Sequence, residues 1–343
     1  MSFLKQQKQN PEFLNNYLKY KAYIEFKSKQ TADTTYFDLR TMLRYIKLFL
    51  YNKEKIYTIT KKEFMNISIS DITLDDLNEV TQNTMEKYIV FLGSVLNNSN
   101  KTSNHKLTSA RKFFEFLENN NLIYMNPTKN MTSSREEERL PKYLSLDESK
   151  QLLANTINSN CKHKIRNYAI TCIFLNCSIR LSELTAINLS DLKIDNSEQT
   201  LKIHGKGNKE RLLYLDNAVC EAILKYLEVR PHLDKTNRDY NALFISNQYK
   251  RISNRAVQVI IKEELLKTIK EDKEKYHTHT LRHTGATLLY NEKDINIFII
   301  KKILGHDSLK ATEIYTHVSN KKMKYIMQNC TISSIIERNG GKI

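Results

Sequence analysis

Apolar and polar positions alternate along this chain so as to divide it into two mainly helical stretches separated by a polar segment. Pro11 opens PEFLNNYLKYKAYIEF, in which Phe13, Leu14, Tyr17, Leu18, Tyr20, Tyr23 and Ile24 recur at helical spacing. A second helix is expected over about 32–50, with Phe37, Leu39, Leu43, Ile46 and Leu48 among its apolar residues. DITLDDLNEVTQ reads as a loop with a short helix, and further helices are expected at about 82–96 and 100–119. The first stretch is therefore a bundle of about four helices.

Between Pro127 and Pro141 the segment TKNMTSSREEERL is polar, charged and without apolar periodicity, which marks a linker. The pattern then resumes at LSLDESKQLL, where Ser145 or Asp147 can start a helix. The following order is helix (about 164–177), helix (181–187), hairpin (199–215), then helices at about 217–229, 254–269, 280–291, 294–304 and 308–315. Met323, Ile326, Met327, Ile332 and Ile335 fit a terminal helix. The expected fold is mainly α with a small β-sheet. Its expected parts are a helical domain at 1–128, a linker at 129–141, a second domain at 142–321 and a tail at 322–343.

Composition sharpens this outline. Only 7 Gly and 4 Pro occur in 343 residues, against a usual combined share of ~12%, so helix is favoured and each glycine needs a reason. Nineteen Tyr and 13 Phe supply core material, which argues against disorder despite the charge. The net charge is +16, with +6 in residues 1–130 and +10 in the remainder. Two basic halves suit a clamp on a polyanion, and nucleic acid is the foremost candidate. Five cysteines (Cys161, Cys172, Cys177, Cys220, Cys330), with no CxxC pair, fit a reducing cytoplasm and not a disulfide framework or zinc knuckle. MSFLKQQKQN lacks a signal-peptide core, and no run approaches ~18 apolar residues, so neither secretion nor a membrane is expected.

Four segments carry candidate chemistry. In LKIHGKGNKERLLYL (201–215), alternating apolar residues flank Gly205-Lys206-Gly207-Asn208, as in a hairpin whose turn needs positive φ. Lys206 could reach a phosphate or leaving oxygen there, although a solvated hairpin tip would look the same. The GxGxxG and GxxxxGK[ST] spacings are absent, which removes the dinucleotide and P-loop readings. In HTHTLRHTGATLLY (277–290), a helix capped by Thr278 or Thr280 would place His279, Arg282 and His283 on one face near a positive helix end. That face suits an anion. A zinc site of His277, His279 and His283 would lack a carboxylate or Cys partner and would have Arg282 beside the cation.

In KKILGHDSLKATEIYTHV (301–318), Gly305 can end one helix and Asp307 or Ser308 can cap the next, leaving His306 in the corner and Tyr315 nine residues on. A lone Tyr is ordinarily core or surface, and as a nucleophile it would need nearby positive charge or a base. In NCSIRLSELTAINLSDL (176–192), Arg180 falls at a junction between helices that the apolar pattern makes buried, and Glu183 could fix its orientation. Each signal has an ordinary structural explanation when taken singly.

Together, in this order, Arg180, Lys206, His279, Arg282, His306 and Tyr315 resemble the active-site set of the tyrosine recombinase (phage integrase) family, and within it the Xer type. IRLSEL, GKGNKERLLYL, HTLRHTGATLL and LGHDSLKATEIYTHV carry the resemblance, which covers about 145–320. It implies a mixed α/β catalytic domain preceded by a helical core-binding (SAM-like) domain. It also implies a Tyr315 nucleophile that forms a 3′-phosphotyrosyl link and leaves a free 5′-hydroxyl. Arg180 and Arg282 would then hold the nonbridging oxygens, with Glu183 in support. Lys206 would protonate the leaving oxygen, His279 would assist proton transfer from the tyrosine, and His306 would donate to the phosphate or position it.

No cofactor and no metal are implied. The implied partner is double-stranded DNA, held by a homo-tetramer on two sites or a hetero-tetramer with a paralogue. In similar recombinases the terminal helix docks on a neighbouring subunit. Cys177-Ser178 stands where Thr-Gly usually precedes the first arginine, and Gly285 stands where an aromatic residue is common. The alternative functions are type IB topoisomerase-like cleavage and resealing, an inactive DNA-binding or architectural protein, and a metallohydrolase.

Overall fold

The computed structural model describes residues 9–25, 29–134, 142–195, 198–205, 209–292 and 297–305. Lys206, His306, Tyr315, the expected helix at 308–315 and the tail at 322–343 lie outside them. The chain divides into two compact units, Met1–Glu138 and Arg139–Ile343.

In the first unit, α1 (Glu12–Lys19), α2 (Lys29–Tyr51), α5 (Gln82–Ser94) and α6 (Asn100–Asn119) are the helices expected from periodicity, joined by short α3 (Lys61–Asn66) and α4 (Leu74–Asn78). The short helices begin at Thr60 and Thr73, each of which exchanges hydrogen bonds with the acidic residue three positions on. The core is aromatic: Tyr45 lies 5.1 Å from Phe91, and Phe91 lies 5.0 Å from Phe64, ring centre to ring centre. Such pairs contribute about 0.5–1.5 kcal/mol each beyond their buried area. Buried Asp38 on α2 pins α6 by accepting from Lys106 Nζ (2.9 Å) and Ser109 Oγ (2.8 Å), with His105 Nδ1 at 2.8 Å.

Two expectations change here. The helix opened by Pro11 does not run evenly to Phe26, because α1 gives way to a π-helical turn over Tyr20–Ile24. The wider turn shifts the helical phase, so Tyr23 and Ile24 face solvent while Lys21 is buried with its ammonium over the Tyr17 ring. Part of the expected linker is also fixed: Asn104 and Ser134 exchange two hydrogen bonds (2.8 and 3.0 Å), which holds 131–134 against α6.

The second unit is built around α8 (Lys164–Cys177), which is apolar on nearly all sides and packs against α7 (Leu146–Ile157), α10 (Asn217–Val229) and α12 (Thr278–Glu292). Ser145 caps α7, and its side chain accepts from the Glu148 amide. The expected hairpin is β2 (Gln199–His204) with β3 (Glu210–Tyr214), in register from Thr200–Tyr214 to His204–Glu210. A third strand, β1 (Leu192–Ile194), joins it antiparallel. Leu201, Ile203 and Leu213 enter the core beneath the sheet. Helices α9 (Leu181–Ala186), α11 (Asn254–Thr268) and α13 (Ile297–Leu304) complete the described residues of this unit. No helix among the described residues is long and apolar enough to cross a membrane.

Candidate active site

Ser178 ends α8 in the left-handed conformation (φ +49°) and turns the chain so that Arg180 precedes α9. Glycine is the residue that takes such a conformation without steric cost, which gives the Gly of the commoner pattern its reason. Gly285 on α12 passes close to this turn. An added Cβ there would stand 2.2 Å from the Leu175 carbonyl oxygen and 2.4 Å from Ser178 Oγ, so no side chain fits unless α12 moves. The two departures from the family pattern therefore meet in space.

Glu183, one turn into α9, is the organising carboxylate, and its side chain is 3% exposed. Oε2 accepts from the Arg180 backbone amide (2.8 Å) and from Arg211 Nη2 (2.8 Å), while Oε1 accepts from Arg180 Nη1 (2.8 Å) and Arg211 Nη1 (3.0 Å). Arg282 Nη1 lies 3.9 Å from Oε2. Burial alone would raise the carboxyl pKa, but the hydrogen bonds from Arg211 and Arg180 and the arginine charge bring it down to about 2. With the folded pKa depressed, the stabilisation is present above the unfolded pKa of about 4.3 and is lost as pH falls toward about 2, a contribution of roughly 3 kcal/mol. Urea unfolding across that window should show Glu183→Gln with a flatter pH slope by about one proton. An unchanged slope would remove Glu183 from the linkage.

The arginines also close over the end of α13. Arg211 Nε donates to the Ile303 carbonyl (2.9 Å), Arg282 Nη2 to that of Leu304 (2.9 Å), and Arg180 Nη2 to that of Gly305 (3.0 Å). Three consecutive carbonyls at the negative end of a helix thus each take one guanidinium. Arg282, itself buried, also donates to the Ser178 carbonyl (2.8 Å). Arg180 is half-buried, not buried as its junction suggested, because its neighbours Ser178 and Ile179 take the interior positions.

α12 starts at Thr278, so neither expected threonine is its cap. Thr280 is its third residue, and its hydroxyl accepts from the amide of His277 (3.1 Å). His279 and His283 lie one turn apart, edge to face at 4.9 Å. The protein packed around His279, followed by Arg282, His277 and Arg180, lowers its pKa, which keeps the imidazole neutral and able to accept a proton. Among the described residues no three His, Cys, Asp or Glu side chains are grouped to hold a metal. A cleft of about 530 Å³ beside His279 has Arg255, Gln258 and Lys262 of α11 on its wall.

Arg180, Glu183 and Arg282 are thus brought together, with His279 at the start of the helix that carries Arg282. Lys206 is not described, but the neck of its turn is: Gly205 N donates to the Lys209 carbonyl at 2.7 Å, and a Cβ on Gly205 would lie 3.9 Å from Glu183 Oε1. Arg211 is the site residue that the sequence did not disclose. The α11 side chains were also missed, although their i, i+3, i+7 spacing was a usable signal.

Comparison with known proteins decides the family. The Phage integrase family profile matches residues 142–322. Tyrosine recombinase XerC of Caldanaerobacter subterraneus subsp. tengcongensis is 37% identical over 315 residues, covering 92% of this chain and 85% of the relative. This chain belongs to the phage integrase family of tyrosine recombinases. A second member, XerC of Thermodesulfovibrio yellowstonii, is 38% identical over 229 residues, covering 66% of this chain and 74% of its own. The family fold is seen in XerH site-specific recombinase bound to palindromic difH substrate in a post-cleavage complex (TM-score 0.66, 19% identity, 93% of this chain and 96% of that one). It is seen again in a lambda integrase dimer bound to a COC′ core site (TM-score 0.61, 12% identity, 87% and 94%). The TM-scores of 0.66 and 0.61 over 93% and 87% of this chain place its fold with these recombinases.

Proposed function

We propose that this integrase-family protein is a site-specific recombinase that cleaves and rejoins double-stranded DNA through Tyr315. The tyrosine oxygen attacks the scissile phosphorus and gives up its proton, which neutral His279 assists in removing. The P–O5′ bond breaks, Lys206 protonates the departing 5′-oxygen, and a 3′-phosphotyrosyl link remains. A 5′-hydroxyl from a second duplex then attacks that link and restores the tyrosine, so the ester bond is conserved and no ATP is needed. Arg180 and Arg282 offset charge on the nonbridging oxygens, with His306 donating beside them. These cations do what a metal does in other phosphoryl transfers.

The observation that carries this reading is Arg180 and Arg282 gathered on buried Glu183, with Gly205 and Gly305, the residues next to Lys206 and His306, at the same place. We assign 1–128 as the core-binding domain, 142–321 as the catalytic domain and 322–343 as the docking tail, joined by 129–141. The working form is a homo-tetramer on two DNA sites, or a hetero-tetramer with a paralogue, in the cytoplasm.

The test uses a duplex chosen from a randomised pool by repeated binding to the full chain. Two differently labelled copies incubated with the protein in EDTA should yield recombinant duplexes. Cleavage and resealing without exchanged products would favour the topoisomerase-like alternative, and dependence on a divalent metal would contradict the cationic mechanism.

A further inference from the structure

Arg211 lies on β3, its side chain 14% exposed, and it belongs to none of the groups given a role in the reaction. Its guanidinium nevertheless meets Glu183, the neck of the β2–β3 turn and the end of α13. Nη1 and Nη2 bind both oxygens of Glu183, and Nε binds the Ile303 carbonyl at the end of α13. Gly305 (φ +63°) packs so closely over it that a Cβ there would be 3.0 Å from Nη1, and a Cβ on Gly205 would lie 3.9 Å from the same atom. Chain leaves Gly205 toward Lys206 and leaves Gly305 toward His306 and Tyr315.

We infer that Arg211 is a positioning residue: one guanidinium, held bidentately by Glu183, fixes the two points from which the general acid and the nucleophile segment depart. Glu183 receives one side-chain and one backbone donor from Arg180, so Arg211, which binds it bidentately, shares in holding its charge. What Arg211 adds is a rigid tie between α9, β3 and the end of α13. Its planar fork can make the three bonds at once, which a lysine ammonium on a flexible stem cannot. An error of about 1 Å in either reacting group is enough to slow phosphoryl transfer by about 10²-fold.

The inference rests on Lys206 and Tyr315 being the reacting groups, and its test separates the two claims. Full-length wild type and Arg211→Lys are mixed with the binding-selected duplex, well below the unfolding temperature of each, and single-turnover adduct formation is followed alongside DNA affinity. A second duplex carries sulfur in place of the bridging 5′-oxygen at the scissile phosphate. Its thiolate leaves without a proton, since a thiol is a far stronger acid than an alcohol.

Arg211→Lys is expected to bind DNA within about threefold of wild type, to form the adduct at least about tenfold more slowly, and to recover on the sulfur duplex the part of that deficit owed to Lys206 while the part owed to Tyr315 remains. An unchanged rate, a loss confined to affinity, or an equal deficit on both duplexes overturns the positioning role. Arg211→Gln, which loses both the charge and the reach of the guanidinium, should repeat the pattern, and wild-type behaviour in it overturns the role equally. Absence of adduct with wild type itself would instead bring down the reading of Tyr315.

Discussion

Arg282→Ala is expected to slow DNA cleavage by about 10²–10³-fold, equivalent to ~2.7–4 kcal/mol of lost transition-state stabilisation. Charge builds on the nonbridging oxygens during attack, and a buried, always-charged donor set at short range is worth more than one in water. The same substitution strips the Ser178 and Leu304 carbonyls of their donor. Leaving such buried acceptors unsatisfied costs about 1–3 kcal/mol each in stability. Both effects should therefore appear together, one in single-turnover cleavage and the other as a lowered unfolding midpoint. Arg282→Lys restores charge without the two-pronged reach between Ser178 and Leu304, and should recover only part of the rate. A variant that cleaves normally while melting early would restrict Arg282 to a structural part.

Arg180, Arg211 and Arg282 cap three successive carbonyls, Ile303 to Gly305, at the end of α13. A helix end is a weak negative partner, with about half a unit charge spread over several groups, so a full phosphate charge can compete for the same donors. With the proposed phosphate-holding roles of Arg180 and Arg282, recognition of the scissile phosphate is linked to the place from which His306 and Tyr315 extend.

The helices and the order of chemical motifs were legible because both are local: apolar spacing over α2, α5, α6 and α8, and a cap such as Ser145. The turn at Tyr20–Ile24 was not, since its altered phase reflects packing of Tyr20 on Phe116 of a distant helix. β1 is only three residues long, too short to show an alternation. Arg211 looked like one charge among several in GKGNKERLLYL. Its part depends on Glu183, 28 residues earlier, and on Ile303, 92 residues later, which no periodicity connects. Ser178 and Gly285 were visible as departures from the family pattern, but only their proximity shows that they constrain each other.

The nucleophile carries the largest expected effect. Phenylalanine at 315 keeps the ring and removes the one oxygen that could form the ester, so Tyr315→Phe should bind DNA as wild type does and form no covalent adduct at all. Loss of a group that makes and breaks the bond leaves no partial route, unlike loss of one cation among several.

The central claim is tested most directly with a nicked form of the binding-selected duplex, in which the short downstream fragment bearing the freed 5′-hydroxyl diffuses away after cleavage. Denaturing electrophoresis of the strand labelled at its 5′-end, upstream of the scissile phosphate, should show wild-type protein covalently attached through residue 315, and Tyr315→Phe with affinity intact and no attached band. An adduct of equal yield in Tyr315→Phe, or attachment mapped to another residue, would contradict the account.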